Sequence, residues 1–294
     1  MKRDQASTLR EKFSKDGYFY STEAPESTVR IISFTSGKGG VGKTNIVINL
    51  AIQFRKMGKS VFIIDADLGL ANIDIMLNLT PQFTIEDVLA GRKNINDVIL
   101  EGPLGIHILP SSSGLSEMQE LSAGQQMAMI KELSGLKTKY DYILIDTGAG
   151  IASNVLRFNA AADEICVITN TEPTALTDAY ALMKVMWNRY QVNSFNLIVN
   201  QASLREAKSV FNRLIIVLKE YLQVELSLTG YIPRDALFPK AVKSQVPISI
   251  MAPHSSPVKM IEHMAQHIDR HPRQSIDHIE SLSFWQRVAK WRRI

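Results

Sequence analysis

The nine residues Ser36-Gly37-Lys38-Gly39-Gly40-Val41-Gly42-Lys43-Thr44 carry the clearest chemistry in this 294-residue chain. From Gly37 to Thr44 they fit G-x-x-x-x-G-K-[ST], a pattern whose glycines let successive N–H groups converge on phosphate oxygens at the positive end of a helix. The backbone of Gly37, Lys38, Gly39, Gly40, Val41 and Gly42 would cradle the phosphates. The Lys43 ammonium would reach the β- and γ-phosphates, and the Thr44 hydroxyl would ligate Mg2+. Two further carboxylate groups end apolar runs: Asp65 and Asp67 after SVFII, and Asp146 after YILI. Asp146 has the placement of an acid that holds Mg2+ through water. No N/T-K-x-D motif follows, so nothing grips a guanine, and ATP is the expected nucleotide.

These groups need a scaffold that brings loop ends together. Short Val/Ile/Leu-rich runs recur at 29–35, 60–66, 106–109, 141–145, 164–169, 196–199 and 226–232. Apolar runs without polar alternation mark strands covered on both faces, as in a parallel sheet. Segments 44–56, 122–136, 171–190 and 204–222 are long enough to be crossover helices, with Thr171 before Glu172-Pro173 as the expected N-cap of the third. The alternation predicts one α/β domain over 29–271, a doubly wound, mostly parallel sheet. In such sheets ligands bind beyond the carboxyl ends of the strands, where all the residues above fall.

Composition narrows the class. A 45% hydrophobic chain can bury a substantial core. One cysteine, Cys166, excludes a disulfide framework, and its apolar strand marks it as an inert core thiol. His263, His267 and His271 stand four apart but lack the glutamate of a zincin, so no metal is expected there. Met1-Lys2-Arg3 runs into Asp4-Gln5 without an apolar segment, and no run approaches the ~20 residues of a spanning helix, so a cytosolic protein is expected. Lys and Arg number 33 against 29 Asp and Glu, a net +4, and the last ten residues alone hold Arg287, Lys290, Arg292 and Arg293 with no acid. The body is therefore neutral, which argues against direct DNA binding.

The ends carry their own signals. Residues 272–294 read as a linker and an amphipathic helix. At ~100° per residue Phe284, Val288 and Trp291 share a face with Trp285 at its edge, and Lys290 and Arg293 lie opposite. Aromatics beside basic residues suit an anionic membrane surface; the same helix could instead dock on the protein's own body. Residues 1–28 read as an extension ending in a polar linker.

The pattern K-G-G-x-G-K-T at Lys38–Thr44 resembles the deviant Walker A box of the MinD/ParA family of P-loop ATPases. The resemblance covers about residues 29–271. It implies an ATP-bound homodimer in which Lys38 reaches across to the partner's nucleotide as a catalytic group. The stretch Asp65–Asp74 is similar to the family's first switch, which implies that Asp67 orients the attacking water and Asp65 lies near the metal with Thr44 and Asp146. Thr147–Gly150 is similar to the second switch. The exits Ile198–Gln201 and Tyr231–Asp235 resemble adenine-contacting ends, with Asn200 reading the base edge and Pro233 and Arg234 packed beside it.

The N-terminal Asp4-Gln5-Ala6-Ser7-Thr8-Leu9-Arg10 resembles the D-Q-A-x-x-L-R element of the FlhG (FleN) family of flagellar-number ATPases. There the element stimulates FlhF, a signal-recognition-type GTPase, which gives Asp4, Gln5, Ala6, Leu9 and Arg10 as expected GTPase contacts. That resemblance further implies a flagellar C-ring partner of FliM, FliN or FliY type, a flagellar transcription activator, and attachment to the inner face of the cell membrane, at the pole. A division-site MinD and a DNA-partitioning ParA remain the alternatives.

Overall fold

Strands that are buried on both faces must be central, and a computed structural model of the chain places them so; it describes residues 29–67, 72–111, 134, 140–271 and 284–290. The strands are β1 (Arg30–Ser36), β2 (Val61–Ala66), β3 (Leu100–Glu101), β4 (His107–Leu109), β5 (Tyr142–Ala149), β6 (Glu164–Thr169), β7 (Ser194–Asn200) and β8 (Glu225–Ile232). They form one sheet in the order β3-β4-β2-β5-β1-β6-β7-β8, every described pair parallel except β3 with β4. The expected doubly wound, mostly parallel sheet is therefore present. β3 was not anticipated: two residues give no periodicity to read.

The helices are α1 (Lys43–Lys56), α2 (Ile73–Met76), α3 (Ile85–Leu89), α4 (Ile95–Val98), α5 (Ser153–Ala161), α6 (Pro173–Tyr190), α7 (Leu204–Tyr221), α8 (Leu237–Lys243), α9 (Ile248–Met251), α10 (Ser256–Arg270) and α11 (Phe284–Lys290). On one face α1 and α10 cover Ile32, Phe34 and Ile63; on the other α5, α6, α7 and α11 cover Ile31, Ile64 and Val167. α7 begins with a capping box, Ser203 and Glu206 each accepting from the other's backbone N–H, and buries the single stripe Ala207, Val210, Leu214 and Leu218. α6 starts one residue later than expected. Its N-cap is Glu172 rather than Thr171, because Pro173 occupies the first turn and fixes the boundary directly before itself.

Of the helix expected at 122–136 only Ser134 is described, and it is helical; the GTPase contacts Asp4, Gln5, Ala6, Leu9 and Arg10 lie outside the described residues, as do Trp291 and Arg293. Sequence separates the C-terminal helix from the domain, yet α11 is packed into the core of the body.

At the amino ends of the strands a polar network fastens α10. The Tyr142 hydroxyl donates to Asp269 (2.6 Å), which also pairs with Lys59 (2.9 Å), while the Arg30 guanidinium pairs with Glu164 (2.6 Å) and donates to the carbonyl of Ile268. Phe54 of α1 stacks on the Tyr142 ring with centroids 4.1 Å apart. Phe54 is fully buried, so Phe54→Ala should cost about 3–5 kcal/mol in urea unfolding. A loss below about 1 kcal/mol would mean the site collapses around the missing ring.

Candidate nucleotide-binding site

The turn between β1 and α1 owes its shape to two glycines. A Cβ on Gly37 would stand 2.2 Å from the backbone carbonyl carbon of Asp178, so β1 can leave the sheet against α6 only with no side chain there. Gly42 is left-handed at φ 89°, and a Cβ on it would meet the Asn200 amide at 2.4 Å. Above Gly39 and Gly40 an added Cβ meets nothing within 4 Å, so the loop's outer face is open.

Beneath the loop, Lys43 Nζ donates to Asp146 Oδ1 at 2.6 Å, with both side chains buried. Asp65 and Asp146 are register partners on β2 and β5, which sets the two carboxylates side by side. Burial first, and then the Asp146 charge, push the Asp65 carboxyl up to about 7. Asp146 is raised too, by burial, against the pull of Lys43 and a hydrogen bond from the Thr44 side chain. Sequence called for Lys43, Thr44, Asp65 and Asp146 to meet, and the fold brings them together.

Asp65 has a second task that sequence did not reveal. Its Oδ1 accepts from the Asp67 N–H (3.1 Å) and its Oδ2 from the Asn72 and Ile73 N–H groups (3.3 Å each). It thus pins both ends of the loop that carries Asp67. The Asp67 carbonyl accepts from the Ser111 hydroxyl (2.9 Å), and its carboxylate lies over Gly148 near the carboxyl end of β5. Of Thr147–Gly150, the stretch similar to the second switch, the first three residues are strand and only Gly150 lies beyond it. Gly150 N–H is held by the Ser36 carbonyl (2.8 Å), and Thr147 Oγ1 donates to the Phe34 carbonyl (3.0 Å). Asp74, at the end of the Asp65–Asp74 stretch, accepts from the Ile75 N–H (2.8 Å).

Lys38 folds back within its own chain. Its Nζ donates to Glu172 Oε2 at 2.6 Å and to Thr174 Oγ1 at 3.2 Å. The Lys38 hydrogen bond, with Arg234 adding a smaller effect, holds the Glu172 carboxyl below its ordinary value. Glu172 was legible only as a helix-start residue. Asn200 is likewise engaged: its Nδ2 donates to the Val41 carbonyl (2.8 Å) and its Oδ1 accepts from Gln201 N–H (2.9 Å). In this structure it ties β7 to the phosphate loop. Pro233 is half-buried and Arg234 exposed just beyond β8.

The residues fit Mg2+ and nucleotide. Asp146 Oδ2 is buried with no hydrogen-bond partner, beside Thr44, where a metal-bound water would sit. Among the described residues no cluster of three or more His, Cys, Asp or Glu could hold a metal unaided, so Mg2+ here would complete its shell with phosphate oxygens and water. The His267 and His271 rings face each other at a tilt of 39°, centroids 3.9 Å apart, with His271 Nδ1 2.7 Å from the His267 carbonyl, and Cys166 is buried with its thiol pushed up by desolvation.

Comparison with known proteins agrees with this geometry. A family model described as "AAA domain" matches residues 29–221. The chain is 40% identical to the antiactivator FleN of Pseudomonas aeruginosa, over 83% of this chain and 88% of that one. It is 32% identical to the flagellum site-determining protein YlxH of Helicobacter pylori, over 82% of each. Among solved structures, MinD of Pyrococcus horikoshii complexed with Mg-ADP superposes with a TM-score of 0.65 at 26% identity, covering 82% of this chain and 96% of that one.

The Asp65 shift has a measurable consequence. Its carboxyl rises in the fold from 3.8 to about 7, so the folded state is favoured by the proton. That contribution is complete below the unfolded value and is lost as pH rises through about 7. Between about pH 4 and pH 8 the nucleotide-free wild type should lose stability relative to Asp65→Asn, by at most about 4 kcal/mol. Urea titrations of both proteins across that range measure it; parallel curves would mean that Asp65 titrates normally.

Proposed function

The chain belongs to the MinD/ParA family of P-loop ATPases, in the branch that holds FleN, and hydrolyses ATP; from that membership we propose that it is a nucleotide-switched dimer that limits flagellar number and placement. The single observation that carries the switch is where α11 sits. Phe284, Trp285 and Val288, the apolar residues assigned to a membrane, are buried beside Phe158, Ala161 and Ala162 at the end of α5. Arg287 clamps the contact, its Nε donating to the Ala161 carbonyl (2.8 Å) and its guanidinium pairing with Asp163 (3.0 Å). α5 starts three residues after Gly150, whose N–H is held at the base of the phosphate loop.

In this reading nucleotide at the phosphate loop shifts Gly150 and the turn between β5 and α5, α5 follows, and α11 is released to an anionic membrane. Two released helices per dimer make attachment tight enough to matter and still reversible. The protein would then sit on the inner face of the cell membrane, at the pole. Lys43, Thr44 and the Gly37–Gly42 backbone bind the phosphates, and Thr44, Asp146 and Asp65 surround Mg2+, which supplies charge neutralisation. Lys38 leaves Glu172 to bridge the dimer, and Asp67 orients the attacking water. Asn200, Pro233 and Arg234 border the base.

The partners follow from the same branch. Residues 1–28, through Asp4, Gln5, Ala6, Leu9 and Arg10, would stimulate the GTPase FlhF. A C-ring protein of FliM, FliN or FliY type and a flagellar transcription activator would be engaged by the ATPase body.

Two measurements test the switch. Arg287→Ala should raise co-sedimentation with anionic liposomes several-fold without nucleotide, whereas deletion of 282–294 should abolish it in every state. Undiminished pelleting of the truncated protein would show that α11 is not the anchor. In size-exclusion with ATP, Lys38→Ala should stay monomeric while still binding nucleotide, and Asp67→Ala should accumulate as dimer. A monomeric Asp67→Ala would overturn the mechanism.

A further inference from the structure

The helix that leaves the phosphate loop is covered on every side: each residue of α1 from Ile46 to Phe54 is buried. That stretch makes about two and a half turns, so it has no outer face. Apolar burial is non-directional, and a helix covered all round has no single stripe by which burial alone would choose its rotation. Two residues of the stretch are nevertheless polar, Asn49 and Gln53, in a place where polar atoms must find partners.

Both turn to Ser249 in the short α9. Asn49 Oδ1 accepts from the Ser249 N–H (2.9 Å), and Gln53 Nε2 donates to the Ser249 hydroxyl (3.0 Å). One turn further on, Lys56 Nζ donates to the Ser249 carbonyl (3.0 Å). Spaced by four and then three, these side chains share one face of α1. Together they take the N–H, the hydroxyl and the carbonyl of a residue that is itself fully buried. Asn49 also carries the contact toward the nucleotide site, its Nδ2 donating to the carbonyl of Asn45 (2.7 Å), the residue after Thr44. Ser249 is anchored in turn, because its neighbour Ile248 packs with Ala241 of α8 and Val258 of α10. Pro247 gives α9 no side-chain cap, and Asn49 serves one of its early N–H groups. A cap would need only that one bond; three bonds from one helix face to one residue fix how α1 is turned.

We propose that Ser249 is a positioning residue for metal-bound nucleotide: clamped by Asn49, Gln53 and Lys56, it sets the rotation of α1 so that Thr44 meets Mg2+ already aimed. It acts through α1 and touches no substrate. Choosing one arrangement among several of similar packing is the best-attested use of a buried polar group. In this structure the Thr44 side chain is turned to Asp146, to which it donates a hydrogen bond. Mg2+ demands near-octahedral geometry, so a small turn of α1 would be felt first at the metal. The phosphates are held otherwise, by N–H groups of the loop ahead of the helix and by the long Lys43 side chain, and would tolerate that turn better. A clamp that positions Thr44 therefore matters more with Mg2+ than without it, whereas one that merely supports the fold matters equally in both. The proposal rests on the reading of Thr44 as a Mg2+ ligand.

The test is calorimetric titration of the full chain with ATP, once in Mg2+ and once in EDTA. Asn49→Ala should bind ATP about fivefold more weakly than wild type in Mg2+ and within about twofold of it in EDTA, a loss on the low side for outer-shell partners of metal ligands. Gln53→Met combined with Ser249→Ala removes both ends of one bond and strands no polar atom, so it should keep the melting temperature and shift the ratio of the two affinities the same way. It carries the test by itself if Asn49→Ala does not fold. Val258→Ala loosens the apolar packing of α9 without touching the clamp; it should lower the melting temperature and leave the ratio alone. Equal losses in Mg2+ and EDTA would reduce the clamp to support of the fold and overturn the proposal, as would a Val258→Ala that moves the ratio as far as the clamp variants do. Mg2+ strengthening wild type and clamp variants alike would sink the proposal alone. A wild type indifferent to Mg2+ would sink the reading of Thr44, and the proposal with it.

Discussion

Lys43 and Asp146 are buried together under the phosphate loop, and the carboxyl edge of the sheet is organised around that pair. Such a pair is a poor source of stability, because desolvating two ions offsets most of their attraction. It is tolerable only while both partners remain, since either one alone would be an uncompensated charge in the core. The second carboxylate, Asp65, forms no ion pair among the described residues and is kept in place by three backbone N–H groups. The site is thus short of positive charge where a dication and a polyphosphate would be exchanged, which is a condition suited to a switch.

Around that centre, polar contacts tie the neighbouring turns together. Gly150 is held by Ser36, Val41 by Asn200, and Lys38 by Glu172. Val41 is also packed into the core, whereas the exposed Lys38–Glu172 tie rests on polar contacts. Behind the ties the packing is different in kind. α5 rests on fully buried residues such as Leu156 and carries α11 on its far end. That far contact is closed by the buried Phe284, Trp285 and Val288 together with one arginine, Arg287.

What could be read from sequence followed physical rules about burial. The central strands stood out because residues covered on both faces are uninterrupted apolar runs, and the glycine loop stood out because its spacing has a mechanical reason. The short helices α3 and α4 went unread although both carry capping boxes, Thr84 with Asp87 and Asn94 with Asp97. Their apolar faces are too brief to show a period. Long-range pairings were not legible at all: nothing local in Glu172, Ser111 or Asp163 announces Lys38, Asp67 or Arg287 as a partner. The amphipathic pattern of α11 identified a buried face correctly in type, but a helix that covers a protein core and one that covers lipid use the same residues.

The sheet ends at one side with β3, two residues long and reversed against β4, with Glu101 exposed at its tip. A long, flat outer strand would offer a row of unpaired N–H and C=O groups to any neighbouring chain. Shortening the margin, turning it around and setting a charge on it removes that template. Copies of the chain crowded together therefore find no template along this border for zipping into a continuous sheet.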